Sequence, residues 1–187
     1  MLHMKQNSYK LEIVKELIKK EIHLRELSRK LKVNPMTLSR KIKELLNENV
    51  LDFKEEGKNK IYFLKKNSEA KAHVFMAEQY KLAKILKKYP CLRNILDKIQ
   101  KNKTISLALL FGSYAKGIAK KSSDIDIYIE TSNRKIKQDL QYLNSRLSIK
   151  IGKYNKNNFL IKEIEKNHVI IKGVEQFYER NKFFETA

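Results

Sequence analysis

Apolar residues along this chain recur at two spacings, and the change from one to the other divides it. From Leu11 to Leu45 they fall three or four apart: Leu11, Val14, Leu17 and Ile18, then Leu24, Leu27 and Leu31, then Leu38, Ile42 and Leu45. That spacing stacks side chains on one helical face, so three helices are predicted. Ser8 is the expected N-cap of the first, which runs to about Lys20. A turn at Lys32 and Val33 separates the second helix from the third. Asn34-Pro35 supplies a capping side chain and a proline at the first helical position, and the third helix runs to about Asn47. Two β-type runs follow, Val50 to Phe53 and Ile61 to Leu64. The polar segment Glu55 to Lys60, with Gly57 inside it, joins them as a hairpin.

Ser68 to Tyr89 reads as one long helix with Ala72, Phe75, Met76, Leu82, Ala83 and Leu86 on its apolar stripe, a stripe that serves packing first and dimerisation second. Pro90 ends it, and a further helix carries Leu92, Ile95, Leu96 and Ile99. From Thr104 strands alternate with helices. Ile105 to Phe111 is almost continuously apolar, as in a strand covered on both faces. Asp124 to Glu130 alternates acidic and apolar residues. A helix through Ile136, Leu140 and Leu143 leads to a strand, Leu147 to Ile151, and the tail from Asn158 to Phe184 is expected to be helical with breaks. The fold class predicted is α+β: a helical and hairpin segment over 1–67, a connecting helix over 68–89, and a small mixed-sheet domain over 90–187.

Composition narrows the function classes. Hydrophobic residues are 42% of 187, enough for packed cores. No apolar run approaches the ~20 residues of a membrane helix. Met1 to Lys10 lacks the apolar stretch of a secretory signal, so a cytoplasmic protein is expected. Cys91 stands alone, and His3, His23, His73 and His168 are scattered, which removes disulfide frameworks, His/Cys metal sites and nucleophilic hydrolases. The net charge of +20 draws polyanions and makes their binding salt-dependent.

The segment Leu24 to Leu51 and the hairpin after it resemble the winged helix-turn-helix regulators, over residues 8–66. The resemblance implies that the third helix enters the major groove of double-stranded DNA, with the hairpin as the wing. With Leu38, Ile42 and Leu45 inward, the outward positions are Met36, Thr37, Arg40 and Lys43, with Asn34 at the helix start. Arg40 suits a guanine edge; Thr37 and Lys43 suit phosphates or a thymine methyl. Lys58 and Lys60 in the wing suit the backbone or minor groove. Such regulators read paired half-sites as dimers, so a homodimer is expected.

The sharpest motif is Gly112-Ser113-Tyr114-Ala115-Lys116-Gly117 followed by Ser122-Ser123-Asp124-Ile125-Asp126. Gly112 ends a buried strand and lets backbone approach a phosphate, while Ser113 offers a hydroxyl and an N–H. Asp124 and Asp126 lie two apart on a strand, on one face and ~6–7 Å apart. Carboxylates so placed suit Mg²⁺ bridging a nucleoside triphosphate, with Lys116, Lys120 and Lys121 neutralising its charge and Gly117 and Ser123 expected, with Gly112, Ser113 and Lys116, to bind the nucleotide. The motif resembles the glycine-serine and paired-aspartate signature of the polymerase-β-like nucleotidyltransferase superfamily, closest to the minimal nucleotidyltransferases. The resemblance covers residues 90–187, including His168 to Gly173. It implies transfer of a nucleoside monophosphate to a hydroxyl. It also implies a HEPN-type protein partner modified within a toxin–antitoxin pair.

Catalytic members of that superfamily carry a third carboxylate on a neighbouring strand. Here Leu147 to Ile151 offers only Ser148 and Lys150, and no acid occurs from Gln141 to Lys162. Glu130 lies too far along its strand, and Asp139 sits on the intervening helix. Slow one-metal catalysis, nucleotide binding without transfer, and a different strand alignment all stay open at this point. A transcriptional regulator using an inactive nucleotidyltransferase fold as sensor or dimerisation platform is the alternative function. RNA modification is a third, weakened by the lack of an aromatic stacking ladder.

Overall fold

A computed structural model describes residues 2–185, with side chains from residue 8 to residue 185. Packing divides the chain into two compact units, residues 1–80 with 182–187, and residues 81–181.

The first unit opens with α1 (Leu2–Leu17), β1 (Ile22–His23), α2 (Leu24–Leu31) and α3 (Pro35–Asn47), followed by β2 (Leu51–Glu56) and β3 (Asn59–Leu64). The three strands form an antiparallel sheet in the order β1-β3-β2. The residues at helical spacing make its core: Val14, Leu17, Leu27, Leu38, Ile42 and Leu45 are buried, joined by Ile13, Ile22, Val50, Leu51 and Leu64. The turn between α2 and α3 is held locally. Lys32 takes the left-handed conformation at φ 53°, and the Ser28 hydroxyl donates to the Val33 carbonyl at 2.7 Å. The Asn34 side chain then accepts from the Met36 N–H at 2.8 Å, as a cap should. Two expectations need correcting. Ser8 lies inside α1, which begins before it, because a serine that can cap a helix is also tolerated within one. β1 is additional to the elements expected: two residues carry no periodicity, and only pairing of Ile22 with Tyr62 makes them a strand. Towards the far end of the chain, Lys182 to Glu185 rejoin this unit, with the Lys66 ammonium 3.9 Å from the Phe183 ring centre.

α4 (Ser68–Lys88) contributes to both units. Its buried apolar positions are Ala70, Val74 and Ala77, then Leu82 and Ile85. Of the expected stripe Leu82 is buried and Phe75 and Leu86 are partly buried, but Ala72, Met76 and Ala83 are exposed, so the buried face is rotated from the one expected. Alanine favours any helical position, exposed or buried, and so does not fix a phase.

The second unit continues through a 3₁₀ turn (Pro90–Leu92), α5 (Arg93–Lys101), β4 (Ile105–Phe111), α6 (Gly112–Ala115), β5 (Ile125–Thr131), α7 (Ile136–Gln141) and β6 (Leu147–Ile151). It closes with α8 (Phe159–Lys166), β7 (Val169–Lys172) and α9 (Val174–Arg180). The sheet order is β6-β5-β4-β7; β5 and β6 run parallel and the other pairs antiparallel. On one face Ala108, Leu110, Ile125, Ile127, Ile129 and Ile149 pack with Leu92, Ile95, Leu96 and Ile99 and with Ile136 and Leu140 of α7. The alternate residues Leu107, Leu109, Tyr128 and Ile170 are buried too, as are Ile161, Ile164, Phe177 and Tyr178 of α8 and α9. Burial on both faces explains the nearly unbroken apolar run of β4. The tail departs from the expected run of helices: β7 lies between its two helices and pairs with β4, Leu109 opposite Ile170. A four-residue apolar run is too short for its period to separate strand from helix.

Candidate functional site

The geometry of the second unit gathers the central motif at one end of the sheet. β4 ends at Phe111, paired with Asp126 of β5, and the chain turns at Gly112 with φ +67°. A Cβ at Gly112 would strike the Asp126 carboxylate, reaching 3.3 Å from its Cγ and closer still to Oδ2. Glycine is therefore required twice, for the left-handed backbone and for the space. Ser113 follows in α6, and buried Tyr114 anchors that short helix, its ring edge-on to Tyr89 at 4.9 Å.

The loop from α6 to β5 is tied down. Lys88 Nζ donates to the Gly117 carbonyl at 2.7 Å, and the Ala119 N–H donates to the Tyr89 hydroxyl at 3.1 Å. The Ser123 hydroxyl accepts from the Lys120 N–H at 2.9 Å. Gly117 takes φ +72° at the turn. Lys116, Lys120 and Lys121 are exposed on this loop, which ends in exposed Asp124.

Asp126 is only partly exposed. Burial raises its proton affinity above that of an ordinary aspartate; Ser148 opposes this by hydrogen bonding, Asp124 reinforces it by charge, and Lys150 opposes it. Ser148 stands directly beside it, since parallel pairing aligns Asp126 with Ser148 and Tyr128 with Lys150. β6 occupies the span expected for the neighbouring strand, so the position flanking Asp126 is a hydroxyl and the next on that face, level with Tyr128, a lysine.

The other acids are elsewhere engaged or exposed. Glu130, on the same strand, accepts from the Tyr154 N–H at 3.0 Å and from Ser106, and pairs with Arg180. Burial works against its ionisation, but the Tyr154 N–H and Arg180 overcome it and hold the carboxyl below the usual glutamate range. Asp139 is exposed on α7. Among the described residues no group of three or more His, Cys, Asp or Glu is placed to hold a metal ion. Two hard carboxylate oxygen donors would suit one Mg²⁺, which would need its remaining oxygen ligands from elsewhere. A pair of ions needs more acid than this site contains.

Around Glu130 lies a network that sequence reasoning missed. The Tyr128 hydroxyl donates to the Gly152 carbonyl at 2.8 Å, and Tyr154 sits edge-on between Tyr128 and Phe177. Burial, with Glu130 nearby, pushes the Tyr128 hydroxyl up to about 12. The partners are dozens of residues apart, so no local pattern marks them.

In the first unit the outward positions of α3 follow the expected spacing. Met36 is 81% exposed, Arg40 and Lys43 are exposed, and Thr37 is partly covered. No ion pair engages Arg40 or Lys43 among the described residues. Lys41, one position from Arg40, is buried and bonded to Glu44 at 2.7 and 2.9 Å. The Asn34 side chain faces its own helix start as the cap. At the hairpin Lys58 is exposed, and the Lys60 ammonium lies 3.8 Å from the Phe53 ring centre. Among the described residues no helix is long and apolar enough to cross a membrane.

Residues 93–177 match a protein-family model described as polymerase beta, nucleotidyltransferase. No curated protein matches the chain.

Proposed function

We propose, from the premise that the second unit carries a nucleotidyltransferase-like domain, that this domain binds a magnesium–nucleoside triphosphate and that the chain is a nucleotide-responsive, DNA-binding regulator. The observation that carries this reading is the setting of Asp126: a partly buried carboxylate with Asp124 two residues away, the Gly112 turn closed against it, and Ser148 rather than an acid on its open flank. Asp124 and Asp126 hold the ion. Ser113 and the Gly112 backbone contact the phosphates, and Lys116 and Lys120 balance their charge. The ion itself neutralises phosphate charge and polarises phosphorus. With Ser148 and Lys150 where a further acid would take up the proton of an attacking hydroxyl, binding without transfer is the better-supported outcome.

The first unit supports the DNA half of this reading. Its order of helix, short strand, two helices and hairpin, with α3 offering Arg40 and Lys43 outward, is consistent with the winged helix-turn-helix that the sequence resembles. Lys58 and Lys60 on the hairpin would contact backbone, and a cytoplasmic homodimer would present two such units to paired half-sites.

A second reading is favoured by one observation, the extent of the family match, which runs through nearly all of the second unit. On that reading the domain transfers a nucleoside monophosphate to a protein or RNA hydroxyl, with a HEPN-type protein as acceptor in a toxin–antitoxin pair.

Calorimetry with the four nucleoside triphosphates and Mg²⁺, on wild type and Asp124→Asn/Asp126→Asn, tests both. Metal-dependent binding that disappears in the variant, with no pyrophosphate released, is the expected result. Pyrophosphate release by wild type and not by the variant would establish the transferase instead. Equal binding by both proteins would remove the aspartates from the site.

A further inference from the structure

A cavity in the second unit lies at the end of β5 away from the aspartates, roughly 16 Å along the strand from Asp126. Its volume is about 480 Å³, within the size range of pockets that take small organic ligands. It opens where β5 and β6, the parallel pair, reach their carboxyl ends, the edge at which parallel α/β units commonly bind ligands. Thr131, the last residue of β5, and Ser132 after it line the cavity, with Gly152 and Lys153 after β6, and Arg134 and Lys137 from the crossover through α7. Ile149 and Ile151 form the floor.

Charge gives this cavity its character. Arg134, Lys137 and Lys153 surround it, no acidic residue lines it, and none of the three cations is in an ion pair among the described residues. Elsewhere the chain pairs such groups readily, as Lys101 with Asp97 and Arg180 with Glu130. Three like charges around one concavity repel one another, and an anion bound between them relieves that repulsion. A guanidinium fork and two ammonium groups together offer donors to several oxygens on one centre, as a phosphate presents them. The Ser132 hydroxyl adds a neutral donor. The two isoleucines offer an apolar seat to whatever carries the phosphate.

We infer that this cavity is a binding site for a phosphate-bearing small molecule of nucleotide size, separate from the Asp124–Asp126 site and independent of divalent metal. It holds whether or not the aspartate site binds a triphosphate, because it shares no residue with it.

The test uses the full chain with Asp124→Asn/Asp126→Asn and EDTA, which together disable the aspartate site. ADP and pyrophosphate are titrated by calorimetry into three proteins on that background. One is otherwise unaltered, one carries Arg134→Ala/Lys137→Ala/Lys153→Ala, and one carries Lys135→Ala/Lys156→Ala/Lys162→Ala. The last removes three charges from exposed positions that do not line the cavity. Matching circular-dichroism melts confirm that all three are folded. The expected result is binding that weakens roughly tenfold or more on losing the lining cations and stays within about twofold in the control. ADP is expected to bind more tightly than pyrophosphate because of the apolar floor. No binding under EDTA, or equal weakening in both triple variants, would overturn the site. Equal affinity for ADP and pyrophosphate would overturn the seat for the organic group.

Discussion

Asp126 is raised above the ordinary aspartate range first by its burial, which outweighs the hydrogen bonding of Ser148; Asp124 adds to the rise and Lys150 opposes it. A raised acid binds its proton more tightly folded than unfolded. Its contribution to stability is therefore fully present below the usual aspartate pKa and is lost as pH rises through the raised folded value. Asn at this position has no such loss. In metal-free buffer, the stability of Asp126→Asn relative to wild type is expected to improve as pH climbs from the acidic side of the aspartate range to neutrality. Urea unfolding of both proteins across that range measures the gap, and a gap independent of pH would show that Asp126 ionises without penalty. The same setting implies that a cation able to stabilise the ionised pair binds better as the proton leaves. Gly112 makes the arrangement possible, because any larger residue would push its Cβ into the carboxylate.

Among the elements, α3 illustrates how a local signal is realised. Asn34 caps it through the Met36 N–H, Pro35 opens it, and Leu38, Ile42 and Leu45 bury its inner side. Asn34→Ala removes that cap and is expected to destabilise the chain by about 1 kcal/mol, whereas Asn34→Asp keeps most of the stability. Denaturant unfolding of the full-length variants checks this; if Ala and Asp behaved alike, the side-chain cap would contribute nothing. β7 belongs to the opposite kind of case. Its four residues become a strand because β4 presents a free edge to them, and the Gly173 turn at φ +81° starts α9 close against β4. The Glu130–Arg180 pair, which fixes α9 to β5, likewise joins residues fifty positions apart.

At the scale of the whole molecule, a net charge of +20 makes association with any polyanion strong at low salt, so affinity alone says little about a specific DNA face. Dependence on salt says more. If α3 meets duplex phosphates through Arg40 and Lys43, then Arg40→Ala/Lys43→Ala is expected to lower the slope of log affinity against log salt by about 2, about 1 for each phosphate no longer neutralised. Anisotropy titrations of a labelled duplex at several salt concentrations measure that slope. An unchanged slope would remove α3 from the interface and leave the charge as a general attraction.

Period and punctuation sufficed for much of this protein. The helices around Leu27 and Leu38, the hairpin, the strands Ile105–Phe111 and Leu147–Ile151, and the joining of Gly112-Ser113 to Asp124 and Asp126 are all legible locally, because each rests on spacing within a dozen or so residues. Pairing over long separations was not legible. β1 and β7 exist through partners far along the chain, the buried side of α4 depends on what packs on it, and Glu130 gains its role from Tyr154 and Arg180. The absence of acid from Gln141 to Lys162 could be read directly; that Ser148 is the residue beside Asp126 needed the register of two parallel strands. The cavity among Arg134, Lys137 and Lys153 was invisible in sequence for the same reason. Lysines abound in this chain, and only folding decides which of them gather around one open concavity.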